Sequence, residues 1–584
     1  MHSFVRPHEY VVLRLPSDTS KVIKLVPNTY VSGAFALCLP RNVSLGKYGN
    51  FPSNQIIGRP FYLTYEILDH PDEDGHVLRV VPATELHAEA LISEGSGEAD
   101  GEMEDFDMNG DGDVPMRTNR DTIDDSSSQK LTLAEIEELK KQATCAGKEI
   151  IARLLQSHTA IDQKTAFSLA KYKLRKQKKF LRRFTVLPMD VSILTQYLLE
   201  EKDAPKIMEL RDELIALMGC WGNVHHGGNT LLEETVTSKP NGRYLVVDDT
   251  GGLVVAAMAE RMGILYPHED DEDDDDTQTN DPGDADEAEQ PKDGRTSHPQ
   301  RRARKQPMSA KGNTLTLIHA HSQPNLSLLK YFSYDQGNPD ESHPLYTHLK
   351  TLSWLHLVDP NADPIYANEP EKVDEATLQS WKPSKRGIYY RKRNRWVRVR
   401  SVVDETRAGG FDGLIVASLM EPASILQHVV PLLAGSAPVV VYSPTIEPLV
   451  HLADLYSTAR RVAFINRKRE LEEKREQQLK ERQGQDTSND NNPPSPDLPP
   501  IDLSSEFPVD PTLLVGPTLQ TSRVRPWQVL PGRTHPLMMG RGGAEGYIFH
   551  ATRVIPTQER ISARGNVSRK KRKVAETTPS TPGD

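Results

Sequence analysis

The chain has 584 residues, with 71 Lys+Arg against 82 Asp+Glu, a formal charge of −11 and three cysteines, Cys38, Cys145 and Cys220. The acid is concentrated in residues 94–113, with nine acids, and 269–289, with thirteen; neither tract holds a base, so the remainder, 60 acids against 71 bases, is basic. That excludes a disulfide scaffold and a Cys-rich zinc module, leaves no apolar run near the roughly 18 residues of a membrane helix, and points to a polyanionic partner.

Residues 1–16 lack a basic segment followed by an apolar one, so neither a secretory signal nor a membrane partner is expected. From there to about residue 92 the chain reads as β. Tyr10-Val-Val-Leu-Arg-Leu15, Lys21-Val-Ile-Lys-Leu-Val26, residues 61–68 and residues 77–81 are short, rich in Val, Ile and Leu, and bounded by turn residues. They predict a small barrel-like domain. Residues 93–128 have too few apolar groups to offset ordering entropy and are expected to be disordered. Residues 129–240 read as a helical connector: 131–156 repeat apolar residues near helical spacing, weakened at Gly147, and further helices are predicted at 164–183 and within 191–218.

Residues 241–555 alternate strands and helices. Tyr244-Leu-Val-Val-Asp248, 315–320, 352–357, 413–417, 439–443 and Gly546-Tyr-Ile-Phe-His550 are the strand candidates. This is the pattern of a doubly wound, Rossmann-like parallel sheet in an α/β protein. Disordered inserts are expected near 267–312 and 470–500, and a disordered tail at 556–584.

The strongest binding signal lies at 164–183, which holds nine bases, while no acid occurs from 163 to 189. On a helix Phe167, Ala170, Leu174 and Leu181 form one stripe, and Lys171, Arg175, Lys178 and Arg182 the stripe beside it. The first would dock on the protein and the second follow a phosphate backbone. Lys164, Tyr172, Lys176 and Lys179 join this candidate RNA surface. A second basic segment, 382–400, interleaves Arg391, Arg393 and Arg395 with Tyr389, Tyr390 and Trp396, so that rings could stack on bases. The alternative is a solvated β-hairpin anchored by its aromatics.

Val246-Val-Asp-Asp-Thr-Gly-Gly-Leu-Val254 sits where a nucleotide-binding strand turns into its helix. Its glycines are adjacent rather than spaced. The next strand ends in Leu317-Ile-His-Ala-His321, with no acid for ribose hydroxyls. The loop Ser418-Leu-Met-Glu-Pro422 lacks the Asp or Asn before Pro and an aromatic that base methyltransferases place there. The outline is nucleotide-binding with its chemical positions altered. No catalytic, cofactor-binding or metal-binding residue is assigned. Asp105-Phe-Asp-Met-Asn-Gly110 only imitates a calcium loop, with Met116 where a bidentate Glu belongs, and His225-His226 lacks further ligands. Arg569, Lys570, Lys571, Arg572 and Lys573, followed by Val574, form a nuclear-import pattern.

Leu45-Gly-Lys-Tyr-Gly-Asn-Phe51, Ile57-Gly-Arg-Pro60, Lys164-Thr-Ala-Phe-Ser168, Lys171-Tyr-Lys-Leu-Arg-Lys-Gln-Lys-Lys179 and the runs 244–262, 411–422 and 535–550 resemble, in register, the non-catalytic subunit of the eukaryotic tRNA (adenine-58-N1)-methyltransferase, fungal type. One departure is residues 30–42, which intervene between two motifs that are nearly adjacent in the family. The resemblance implies a degenerate class I methyltransferase domain. It implies a nuclear heterotetramer, two of each chain, with a catalytic paralogue that binds S-adenosylmethionine. This chain would bind tRNA, initiator methionine tRNA included, and no cofactor, with Lys47 and Arg59 added to the candidate tRNA contacts. Two alternatives stay open on the residues: an RNA methyltransferase active by itself, and a nuclear RNA-binding adaptor.

Overall fold

A computed structural model describes residues 3–27, 42–86, 130–135, 147–158, 166–225, 242–266, 313–485 and 502–556, apart from short gaps within these ranges. The 93–128 and 267–312 inserts, Lys164 and the tail with Arg569–Lys573 lie outside the described residues.

The N-terminal sheet holds β1 (Tyr10–Arg14), β2 (Ser20–Lys24), β5 (Thr64–Ile67), β6 (Leu78–Val80) and β7 (Arg183–Pro188) in the order β2-β1-β7-β5-β6, every neighbour antiparallel. A two-stranded ribbon, β3 (Asn42–Ser44) and β4 (Asn50–Pro52), covers it, with Phe51 stacked 4.6 Å from Phe184. Among the described residues β2 and β6 are the edges of this sheet. One expectation changes here. The sheet's central strand, β7, comes from the stretch read as helical connector. The reason is burial on both faces, which hides the alternation that would mark a strand. Phe184 and Val186 face the N-terminal core with Val11 and Leu13; Leu187 and Val12 face the core of the large domain. The two domains are therefore joined through one sheet. Arg183, on that strand, is buried and held by Glu66 at 3.4 Å and Glu85 at 2.9 Å, which removes it from the basic surface.

The connector supplies α1 (Lys148–Gln156), α2 (Ala166–Phe180), α3 (Val191–Glu201) and α4 (Asp212–Trp221). Gly147 begins rather than interrupts α1: a Cβ there would lie 2.2 Å from the Phe180 carbonyl oxygen, so only glycine allows α1 to approach the end of α2.

The large sheet runs β10-β9-β8-β11-β12-β16-β13, from β8 (Arg243–Asp248), β9 (Thr314–His319), β10 (Leu349–Ser353), β11 (Gly413–Ala417), β12 (Pro438–Ser443), β13 (Leu514–Gln520) and β16 (Tyr547–Arg553). The first five are parallel, and β16 is antiparallel to both neighbours. Tyr244, Val246, Leu317, Ile415 and Val440 pack on one face, and Leu245, Val247, Ile318, Leu414 and Val439 on the other. Continuous apolar strands are what a sheet covered on both sides requires. A hairpin of β14 (Trp527–Leu530) and β15 (Arg533–Pro536) extends between β13 and β16.

Three more expectations are corrected. The strand expected at 352–357 lies at 349–353, because the Ser353 hydroxyl accepts from the His356 amide at 3.3 Å and starts a short helix. The basic segment 382–400 is neither hairpin nor loop but part of α6 (Pro383–Ala408). After α7 (Pro422–Val429) and α8 (Glu447–Leu455), α9 (Thr458–Gln485) carries helix through 470–485, expected to be disordered; its Glu, Lys, Arg and Gln residues are good helix formers despite lacking a core face.

Candidate nucleic-acid interface

Helix α2 ends at Phe180 rather than at the expected 183, so Leu181 and Arg182 lie in the link to β7 and do not continue the two stripes. Leu181 is buried and Leu174 half-buried, and both line a cavity of about 480 Å³ with Leu15, Leu86 and Phe184. Arg175 and Lys179 are exposed, while Lys171, Tyr172, Lys176, Lys178 and Arg182 are half-buried. Burial, and then the charge of Lys179, push the Lys176 ammonium down from its usual range; it lies 4.8 Å from the centroid of the Tyr172 ring. The Tyr172 ring in turn meets His158 edge-on at 5.3 Å.

Two contacts across the fold were hidden from a linear reading. The Tyr48 hydroxyl donates to the Lys178 carbonyl at 3.3 Å, which brings exposed Lys47 to the C-terminal end of α2. Cations gathered at that end also complement the helix dipole. The Lys178 ammonium pairs with Asp18, 160 residues away. One member of the basic row therefore has an acidic partner although no acid occurs near it in sequence. Arg59 is exposed on the loop before β5, where its charge faces the buried Tyr65 hydroxyl.

On α6 the aromatics hold the helix down. Trp396 donates through Nε1 to the Tyr366 carbonyl at 3.3 Å, and the Tyr389 hydroxyl donates to the Glu371 carbonyl at 3.2 Å. Both rings are half-buried and anchored by their polar tips, while the Tyr390 ring is exposed. Arg391 and Arg395 remain exposed, one turn apart, and Arg393 is half-buried.

At the C-terminal ends of β8, β9 and β11 the loops are bonded to one another. The Asp248 carboxylate, 6% exposed, accepts from the Thr250 amide at 2.7 Å, the Thr250 hydroxyl at 2.5 Å and the Val255 amide at 3.0 Å. It thereby supports the first turn of α5 (Leu253–Met262), whose Val254 amide donates to the Thr250 hydroxyl. Burial pushes the Asp248 carboxyl up, and the donors pull it back. Asp249 ties the neighbouring loop: its carboxylate accepts from the Ser418 hydroxyl at 2.5 Å and the Leu419 amide at 2.9 Å.

The glycines serve packing as well. Gly251 and Gly252 have φ of 78° and 93°. The Gly251 carbonyl accepts from the Leu328 amide at 3.1 Å, and a Cβ on Gly252 would lie 3.2 Å from the Leu326 Cα. Backbone amides that a bound nucleotide would need to approach are covered by the 326–329 segment. At the second position His319 bonds through Nδ1 to the His321 carbonyl at 2.7 Å, and burial pushes its imidazole down. Glu421 is exposed ahead of α7. His225 bonds the Asn223 carbonyl, and among the described residues no group of His, Cys, Asp and Glu could hold a metal ion. No described helix is long and apolar enough to cross a membrane.

Residues 4–382 match the model of the Gcd10p family. A protein of Aspergillus oryzae named tRNA (adenine(58)-N(1))-methyltransferase non-catalytic subunit trm6 is 60% identical over 591 residues, which cover 100% of this chain and 98% of that protein. A protein of the same name from Schizosaccharomyces pombe is 27% identical, covering 96% of this chain and 94% of its own. Among solved structures, the tRNA (m1A58) methyltransferase TrmI from Aquifex aeolicus aligns over 95% of this chain and 100% of its own, at 10% identity and a TM-score of 0.32.

Proposed function

The chain belongs to the Gcd10p family, and from that membership we propose that it is the non-catalytic, tRNA-binding subunit of a tRNA (adenine-58-N1)-methyltransferase complex. The single observation that carries the division of labour is the inward commitment of the cofactor end of the sheet. Asp248 supports its own helix, Asp249 fastens the Ser418 loop, and the glycine turn packs against Leu326 and Leu328. A methyl-transfer site needs open backbone amides, an acid for the ribose and a polar group at the target base, and only interactions made in the transition state speed the reaction. In this chain the first position is bonded and packed inward, the second ends in histidines without an acid, and at the third Ser418 is bonded to Asp249 while Glu421 is exposed ahead of α7.

The finer assignments follow from the same reading. S-adenosylmethionine sits on a catalytic paralogue of similar fold, two copies of each chain form a heterotetramer, and the complex works in the nucleus, with Arg569–Lys573 as the import signal. Substrates include initiator methionine tRNA. Helix α2 supports the RNA-binding part: Lys171, Arg175, Lys176 and Lys179 lie along one helix, Arg182 follows just beyond its last residue, and Lys47 lies beside that end. Row-like cations of this kind give salt-dependent phosphate binding.

The test is reconstitution. The chain is purified alone and with its co-purifying partner, and each preparation is given labelled S-adenosylmethionine and a tRNA transcript. Methylation of adenine 58 by the complex and none by the chain alone is expected. Transfer by the chain alone would favour an independently active methyltransferase, and absence of any methyltransferase among the partners would favour an RNA-binding adaptor.

A further inference from the structure

Away from α2, a cavity of about 370 Å³ opens between β10, α6 and the segment 334–347. None of Asp248–Gly252, His319, His321 or Ser418 lines it, although Leu326, which packs on Gly252, is part of its wall. Its size suits a nucleotide-sized ligand, since small-molecule pockets begin near 300 Å³.

The lining has a definite chemistry. Leu352 and Val403, both buried, give it an apolar floor. Tyr334 and Tyr346 bring two aromatic rings. Lys350 and Arg398 supply two basic side chains, the first ion-paired with Glu405, and no Asp or Glu lines the cavity. These cations are held in place: Lys350 by Glu405 at 2.5 Å, and Arg398 by the Tyr346 hydroxyl at 3.2 Å, with its guanidinium 5.6 Å from the centre of that ring. Among the described residues β10 is the edge strand of the large sheet, and Lys350 and Thr351 on it border the cavity. With no described strand on that side, its outward backbone groups can read the polar edge of a base.

Arg398 also extends a row. Arg391, Arg395 and Arg398 stand at i, i+4 and i+7 on α6, all exposed, and lead along the helix to the cavity mouth. We infer that this cavity takes one unstacked nucleotide of the bound RNA, its base lying over the apolar floor against the tyrosines and its phosphate by Arg398, while the arginine row follows the adjoining backbone. Aromatic platforms beside a cationic track are how proteins hold single-stranded nucleotides. The inference rests on the tRNA-binding reading and adds to it a second contact, distinct from α2.

The test uses the whole complex with a tRNA transcript carrying 4-thiouridine, irradiated and mapped by peptide. Crosslinks are expected on the 334–351 peptide as well as on α2. Thr351→Trp, which fills the cavity without changing charge, should abolish the first crosslink, leave the second, and weaken tRNA binding roughly tenfold, in line with the loss of one base–aromatic stack. Arg398→Gln should weaken binding in the same direction and serves if Thr351→Trp does not fold. Crosslinks on α2 alone, or unchanged affinity in both variants, would overturn the nucleotide site while leaving the tRNA-binding reading intact. Failure of the wild-type complex to retain tRNA would overturn both. Displacement of the 334–351 crosslink by free AMP, with tRNA retained at undiminished affinity, would assign the cavity to a free nucleotide and overturn the RNA contact.

Discussion

Asp248→Asn separates a structural carboxylate from a catalytic one. Asn keeps one oxygen for the Thr250 amide and hydroxyl but turns an NH₂ towards the Val255 amide, which now donates at 3.0 Å. Val255 is fully buried, so its N–H has no water to turn to. One buried donor left unsatisfied costs roughly 1–3 kcal/mol. About 2 kcal/mol would lower the melting midpoint by roughly 4–8 °C in a domain of this size. Asp248→Ala loses all three bonds and should cost roughly 3–5 kcal/mol, which is why the isosteric change is the better probe. The assay is single-turnover methylation by the assembled complex, below the new midpoint, with tRNA binding and assembly checked in parallel. The rate should stay within about twofold, since the group acts on its own loop. A loss of about a hundredfold, 2.7 kcal/mol, with binding and assembly unchanged, would refute the reasoning and give this chain a part in transfer.

Replacing Lys171, Arg175, Lys178 and Arg182 together by Gln should lower the salt slope of tRNA binding by up to roughly 3, with the fold intact. An unchanged slope in the quadruple variant would remove α2 from the interface. Gly252→Ala should destabilise by roughly 1–3 kcal/mol in chemical denaturation, because φ of 93° strains any L residue and the new Cβ would meet Leu326 at 3.2 Å. His343 is buried, takes the Leu345 amide on Nδ1 at 3.1 Å and donates from Nε2 to the Phe332 carbonyl, and burial pushes its imidazole below the usual 6.5. A depressed folded pKa means that its stabilisation is present above 6.5 and is lost as pH falls below it, by up to about 1.4 kcal/mol per pH unit. His343→Gln should flatten that part of the stability–pH curve. Deleting residues 569–574 should reduce nuclear accumulation of the tagged chain without altering partner capture; full nuclear accumulation would mean import through the partner or another signal.

The legible parts of this protein were those where one pattern carried one cause. The parallel strands showed as apolar runs, because a doubly covered sheet has no polar face, and the basic helix showed as a stripe beside an apolar one. What stayed hidden depended on chain segments far apart. β7 reads like any apolar run, and only its neighbours Val11–Arg14 and Thr64–Glu66 make it the centre of a sheet. That Trp396 and Tyr389 anchor α6 through the Tyr366 and Glu371 carbonyls shows only once those segments are brought together. The altered glycine turn was legible as a departure in residue type. The reason for the departure, Asp249 bonded to Ser418 and Leu326 packed on Gly252, was not, because it joins loops from three strands.

The central claim is that this chain holds RNA and not the methyl donor, and the most direct measurement is the number of S-adenosylmethionine molecules bound by the purified complex at saturation, by equilibrium dialysis against labelled cofactor. One molecule per pair of unlike chains is expected, with the count unchanged by Asp248→Asn. Two per pair, with one lost in that variant, would place a working cofactor site on this chain and contradict the account.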